Sequence, residues 1–115
     1  MSWSVTERQR GSVTILELSG RLTMGAGSEA LYEKLRSLIA GGRAAVLLDC
    51  SQVSAIDSQG VQTLLRGVRL AKESAGRLAL LKMSPRLREA LSITRLLPVI
   101  ENFEDEETAL RSLTA

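Results

Sequence analysis

The chain has 115 residues, 44% of them hydrophobic, with 15 Lys and Arg against 13 Asp and Glu, no histidine and a single cysteine. That supports one domain with its own core and is too short for two, so residues 1–115 are read as one domain; a net charge of +2, with Trp3, Tyr32 and Phe103 the only aromatic residues, supplies no basic, aromatic-lined surface for nucleic acid. Cys50 has no partner for an internal disulfide, residues 1–10 lack the cationic-then-apolar order of a signal peptide, and no apolar run reaches bilayer length, so a soluble cytoplasmic protein without direct membrane insertion is expected.

Trp3 and Val5 alternate with Ser2, Ser4 and Thr6, which is strand periodicity. The polar residues 8–12 then separate this strand from a second over residues 13–18, an antiparallel hairpin that Gly20 closes. A loop over residues 24–28 leads into a helix whose Leu31, Leu35, Leu38 and Ile39 recur at three and four, and Gly41-Gly42 ends it. Residues 44–48 are apolar without alternation, the pattern of a strand covered on both faces, and Asp49 is expected to stop it. A polar loop follows. From Val61 the spacing changes to Val61, Leu64, Leu65, Val68 and Ala71, one stripe on a helix that Gly76 ends. Residues 78–81 form a fourth strand, and Ser84-Pro85 caps and opens a helix with Leu87, Ala90 and Leu91 facing inward. After Pro98 come a short extended piece, residues 99–103, and a last helix capped by Asp105 and carrying Ala109, Leu110 and Leu113. The fold class is therefore α/β, a single domain with a mixed sheet, an N-terminal antiparallel hairpin and about four α-helices.

The residues that are missing restrict the chemistry. Without histidine there is neither an imidazole-activated serine nor a histidine-ligated metal site, and one cysteine makes no thiolate cluster. No phosphate-binding glycine loop is present beyond the weak Gly25-Ala26-Gly27. Asp49 at a strand end and Asp57 before a helix fall on one edge of the expected domain, but their spacing matches no carboxylate motif, and caps and turns account for such residues. No metal ligands, no catalytic residues and no enzyme activity are expected.

The stretch Ile56-Asp57-Ser58-Gln59-Gly60 stands out. Asp57 or Ser58 can each accept a hydrogen bond from a free amide of the following helix, so either serves as its cap. The same position follows the carboxyl end of a buried strand, where α/β domains place their sites, and Gly60 leaves room for another molecule to approach the backbone. A phosphate on Ser58 would face the positive end of a helix.

The order of elements, the segment VLLDCSQVSAIDSQGVQTLL, the later LKMSPRLREAL and the acid-rich C-terminal region together resemble a STAS domain of the bacterial anti-sigma factor antagonist family, over nearly the whole chain. The resemblance implies that Ser58 is a phosphoacceptor for an anti-sigma factor that is a serine protein kinase, which brings its own ATP and Mg, so the chain needs no cofactor. It implies partner switching: the unmodified antagonist binds the anti-sigma factor and releases a sigma factor, phosphorylation ends that binding, and a phosphoserine phosphatase restores it. The partner-binding surface expected around Ser58 comprises Thr23, Asp57, Gln59 and Gly60, with Gln62 and Arg66 placed there by their spacing on the polar side of the helix. Two positions depart from the family pattern: Thr23 stands where many relatives have an acid, and Gln59 where a second hydroxyl is common. The alternatives are a STAS subunit of an ABC lipid-transport or stress-signalling complex that binds without a phosphorylation switch, a small enzyme using Asp57 and Ser58, and a nucleotide-binding STAS protein.

Overall fold

The computed structural model describes residues 3–114. In chain order it contains β1 (Ser4–Arg10), β2 (Val13–Leu22), α1 (Gly27–Ala40), β3 (Ala45–Ile56), α2 (Ser58–Glu73), β4 (Arg77–Leu81), α3 (Pro85–Ile93), β5 (Asn102–Phe103) and α4 (Glu106–Thr114). The five strands lie side by side in sequence order; β1 and β2 pair antiparallel, and every later neighbour is parallel. The hairpin and the helical crossovers follow the expected mixed α/β arrangement.

Two cores lie on opposite faces of the sheet. On one face Leu16, Leu18, Val46, Leu48, Cys50 and Leu80 pack against the apolar stripes of α1, α2 and α3, among them Leu31, Leu35, Leu64 and Leu87. On the other, Val13, Ile15, Leu47, Ala79 and Leu81 are covered by Ala109, Leu110 and Leu113 of α4. The unalternated run 45–48 therefore feeds both cores, as a doubly covered strand must. Cys50 is fully buried, packs as a small apolar group, and its thiol is pushed well above the usual range, first by burial and then by the charge of Asp49.

Four boundaries differ from the sequence reading. Arg8 and Arg10 belong to β1, leaving only Gly11 and Ser12 as the turn, because their guanidinium groups reach carboxylates of Glu17, Glu106 and Glu107. The alternation expected for this strand also included Ser2, which lies outside the described residues. β2 runs through Gly20, which adopts φ 110° within the strand.

Asp49 does not stop β3, which continues seven residues further, to Ile56. α4 covers only one end of its face of the sheet, so beyond Leu47 the polar Asp49 and Ser51 stand on an uncovered surface, where a strand tolerates them. Asp49 Oδ1 instead accepts from the amide (3.0 Å) and hydroxyl (2.9 Å) of Ser51. Two register shifts against β2, between Glu17 and Ser19 and between Gly20 and Arg21, place two extra residues in β3. Such bulges bend the strand and re-aim its end. β5 is only two residues long because Leu96 and Val99 first close a turn after α3.

Candidate functional site

The edge where β3 ends and α2 begins is built around Asp57. Its backbone is extended (φ −120°, ψ −172°), the geometry of a helix N-cap, and Oδ1 accepts from the Gly60 amide at 3.0 Å. Oδ2 accepts from the amide of Met24 in the β2–α1 loop, also at 3.0 Å. One carboxylate thus ties two segments of the edge together. The Met24 amide, followed by that of Gly60, holds the Asp57 carboxyl below the usual carboxylate range.

Asp57, not Ser58, is therefore the cap. Ser58 is the first residue of α2, is exposed, and among the described residues its hydroxyl has no hydrogen-bond partner. A second anchor lies beneath it. The Ser28 hydroxyl donates to the Gln59 carbonyl at 3.0 Å and sits 2.6 Å from the hydroxyl of Thr63, both residues being buried. Burial without a partner would cost each hydroxyl about 1–3 kcal/mol, so the pair fixes the start of α1 against the start of α2. Sequence reading did not single out Ser28 or Thr63. The available signal was their position among apolar neighbours, Ser28 three residues before Leu31 and Thr63 beside Leu64.

The candidate residues separate by exposure. Ser58, Gln59, Gln62 and Arg66 are exposed on α2 at spacings that share a face, and the Arg66 guanidinium lies 5.4 Å from the centroid of the Tyr32 ring. Thr23 is 9% exposed and contributes through its carbonyl, which accepts from the amides of Ala26 and Ser28. Gly60 is buried, and the close approach there comes from within the domain rather than from another molecule. A Cβ on it would overlap the Leu22 carbonyl and stand 2.7 Å from Ile56 Cγ1. Asp49 and Asp57 do not share an edge: seven residues of β3 lie between them, roughly 25 Å of strand. Among the described residues no three His, Cys, Asp or Glu side chains are grouped to hold a metal ion.

Two apolar features border Ser58 that the sequence had not marked. Met24, whose amide is fixed by Asp57, is 66% exposed. Between the end of β3 and α3 runs a groove of about 210 Å³, lined by Ala55, Ile56, Arg86, Glu89, Ala90 and Ile93, with Ile93 75% exposed. The edge thus presents a free hydroxyl on rigid backbone beside uncovered apolar groups, a composition common on protein-binding surfaces. Among the described residues no helix is long and apolar enough to cross a membrane.

A family model described as "Mlab, STAS domain" matches residues 5–100. No curated protein matches the chain. Among solved structures, the fold is similar to that of TM1081 from Thermotoga maritima (18% identity, 96% of this chain and 95% of that one, TM-score 0.89). It is similar also to an anti-sigma factor antagonist from Mycobacterium paratuberculosis (21% identity, 99% and 96% coverage, TM-score 0.85). A third similar structure is the Bacillus cell fate determinant SpoIIAA in its phosphorylated form (25% identity, 95% and 99% coverage, TM-score 0.72).

Proposed function

The chain belongs to the STAS domain family, and from that premise we propose that it is an anti-sigma factor antagonist whose binding is switched by phosphorylation of Ser58. The observation that carries the reading is the division of labour between neighbours: Asp57 does all the capping, and the exposed Ser58 hydroxyl is left unused by the fold. The structural likeness to proteins described as anti-sigma factor antagonists, SpoIIAA among them, and to SpoIIAA in its phosphorylated form supports it.

In this reading the anti-sigma factor, a serine kinase, supplies ATP, Mg and the catalytic groups, and the antagonist presents a hydroxyl on a rigid helix start. Phosphorylation adds a charge of roughly −1.5 to −2 next to the Asp57 carboxylate. Both oxygens of that carboxylate are engaged with amides, and the first cation along α2, Arg66, is eight residues on, about 12 Å along the axis. The phosphate therefore points to solvent and weakens the docked partner by charge and desolvation while the fold stays as it is. A phosphoserine phosphatase reverses the step. The chain itself acts by binding and performs no catalysis.

The test is intact-mass analysis after incubation with a candidate anti-sigma kinase and Mg-ATP, alongside Ser58→Ala. One added phosphate that disappears in the variant is the expected result; an unmodified, folded protein that still binds the kinase would overturn the switch. A second reading keeps the same surface without the switch, as a constitutive STAS subunit of a larger assembly such as an ABC lipid-transport complex. The match to the model described as Mlab, and Thr23 at the position where the resemblance calls for an acid, give it support. Co-purification with a transporter ATPase rather than a kinase would decide for it.

A further inference from the structure

The C-terminal half of α2 carries a feature that the Ser58 reading does not use. Leu65 and Val68, both half-buried, and Val99, 55% exposed, line an open hollow of about 430 Å³ between α2 and the turn after α3. Its charged lining consists of Arg69 and Lys72 against Glu73. From Ser58 to Lys72 the helix has no acidic residue, and Arg66, Arg69 and Lys72 are all exposed. Among the described residues none of these three forms an ion pair, whereas Arg8, Lys34 and Arg77 all hold carboxylates. Glu73, at the end of α2, is the acid of the lining. Nearby Glu101 is held by Arg77 at 3.0 Å, and Lys72 acts on it only at longer range.

We infer that this hollow is a second contact surface, which takes an apolar side chain from an acidic amphipathic segment of a protein partner. Exposed apolar surface with a polar rim marks such contacts, and the unpaired cations Arg69 and Lys72 select carboxylates around the inserted residue. The surface is separate from the proposed switch. Arg69 is eleven residues from Ser58, about 16 Å along the helix, which exceeds the roughly 8 Å screening length at physiological salt. Binding at this hollow is consequently insensitive to a charge at Ser58.

The experiment titrates the isotope-labelled full chain with a synthetic helix-forming peptide bearing leucines four residues apart bordered by glutamates, and with its counterpart in which lysines replace the glutamates. The glutamate peptide should shift the amide signals of Leu65, Val68, Arg69, Lys72 and Val99. The double variant Arg69→Glu, Lys72→Glu should weaken it about tenfold, while Ser58→Glu should leave it within about twofold. Because the three positions are exposed, an unchanged spectrum of each free variant serves as the folding control. Absence of shifts at millimolar peptide, equal binding of the lysine peptide, or shifts that survive the charge reversal would overturn the inference. So would concentration-dependent shifts of the same signals without peptide, which would assign the hollow to a second copy of the chain. Failure of Ser58 phosphorylation would leave these results unchanged.

Discussion

The Asp57 carboxylate accepts the Met24 amide at 3.0 Å with one oxygen while capping α2 through Gly60 with the other, so one side chain sets both the start of a helix and the loop that lies against it. Ser58 is exposed on backbone fixed from both sides without taking part in the fixing. A modification of the Ser58 hydroxyl would leave the cap of α2 in place.

Removing the carboxylate should therefore cost stability where removing the hydroxyl does not. Asp57→Ala loses the cap and leaves the Met24 amide without its partner, an expected destabilisation of about 1–2 kcal/mol and a fall in Tm of roughly 5–10 °C. Ser58→Ala should stay within about 0.5 kcal/mol of wild type. The cost should also depend on pH. The folded-state pKa of Asp57 is depressed, so its charged contribution is fully present above the unfolded value near 3.9 and is lost as pH falls through the lower folded value. Urea unfolding of wild type and Asp57→Ala should give a constant difference at pH 5–7 that shrinks below about pH 4. A difference that persists unchanged at pH 3 would show that the carboxylate's charge plays no part. Glu101, Asp105 and Glu106 also have lowered values, and taking the difference between the two proteins cancels their share.

Gly60 gives a prediction in which local propensity and packing point in opposite directions. In an exposed helix, replacing glycine by alanine stabilises by about 1 kcal/mol. At Gly60 the new methyl group would overlap the Leu22 carbonyl of β2, a backbone atom that cannot rotate away. Gly60→Ala should lower stability by about 2 kcal/mol and displace the first turn of α2, moving Ser58 with it. Thermal melting checks the first effect, and weakened phosphorylation by the kinase checks the second. An unchanged or raised Tm would mean that α2 has slack against β2.

The sequence revealed the stripes and the stops but not the choices made by distant residues. The periodicity of Val61, Leu64, Val68 and Ala71 located α2, and Ser84 with Pro85 located the start of α3, because helix faces and caps are written within a few residues. Asp57 and Ser58 were equally good caps locally, and the decision came from the amide of Met24, 33 residues earlier. The sequence places the second half of β3 in a loop, because its polar residues suggest exposure. They are indeed on an uncovered surface, but one that belongs to a sheet whose other face is packed by three helices. The Ser28–Thr63 pair joins two helices over 35 residues and has no local signature.

The end of α2 illustrates the same limit and yields a stabilising substitution. Gly76 marked the helix end in the sequence, yet it stands one residue beyond the position that benefits most from glycine. The Gly76 amide donates to the Ala71 carbonyl at 2.7 Å and the Ala75 amide to that of Lys72 at 3.1 Å, a Schellman motif whose left-handed residue is Ala75, at φ 58°. Gly76 is glycine for another reason: a Cβ there would overlap the Ala44 carbonyl. Arg95 repeats the motif after α3, with φ 61° and the Leu96 amide donating to the Leu91 carbonyl at 2.8 Å. A side chain in the left-handed region is strained by roughly 1 kcal/mol, from which the greater unfolded-state freedom of glycine must be subtracted. Ala75→Gly and Arg95→Gly should each raise stability by about 0.5 kcal/mol, and the two effects should add, because the helix ends they relieve are separate. Urea unfolding of the single and double variants measures this; a loss of stability in both single variants would show that unfolded-state entropy outweighs the relieved strain at these helix ends.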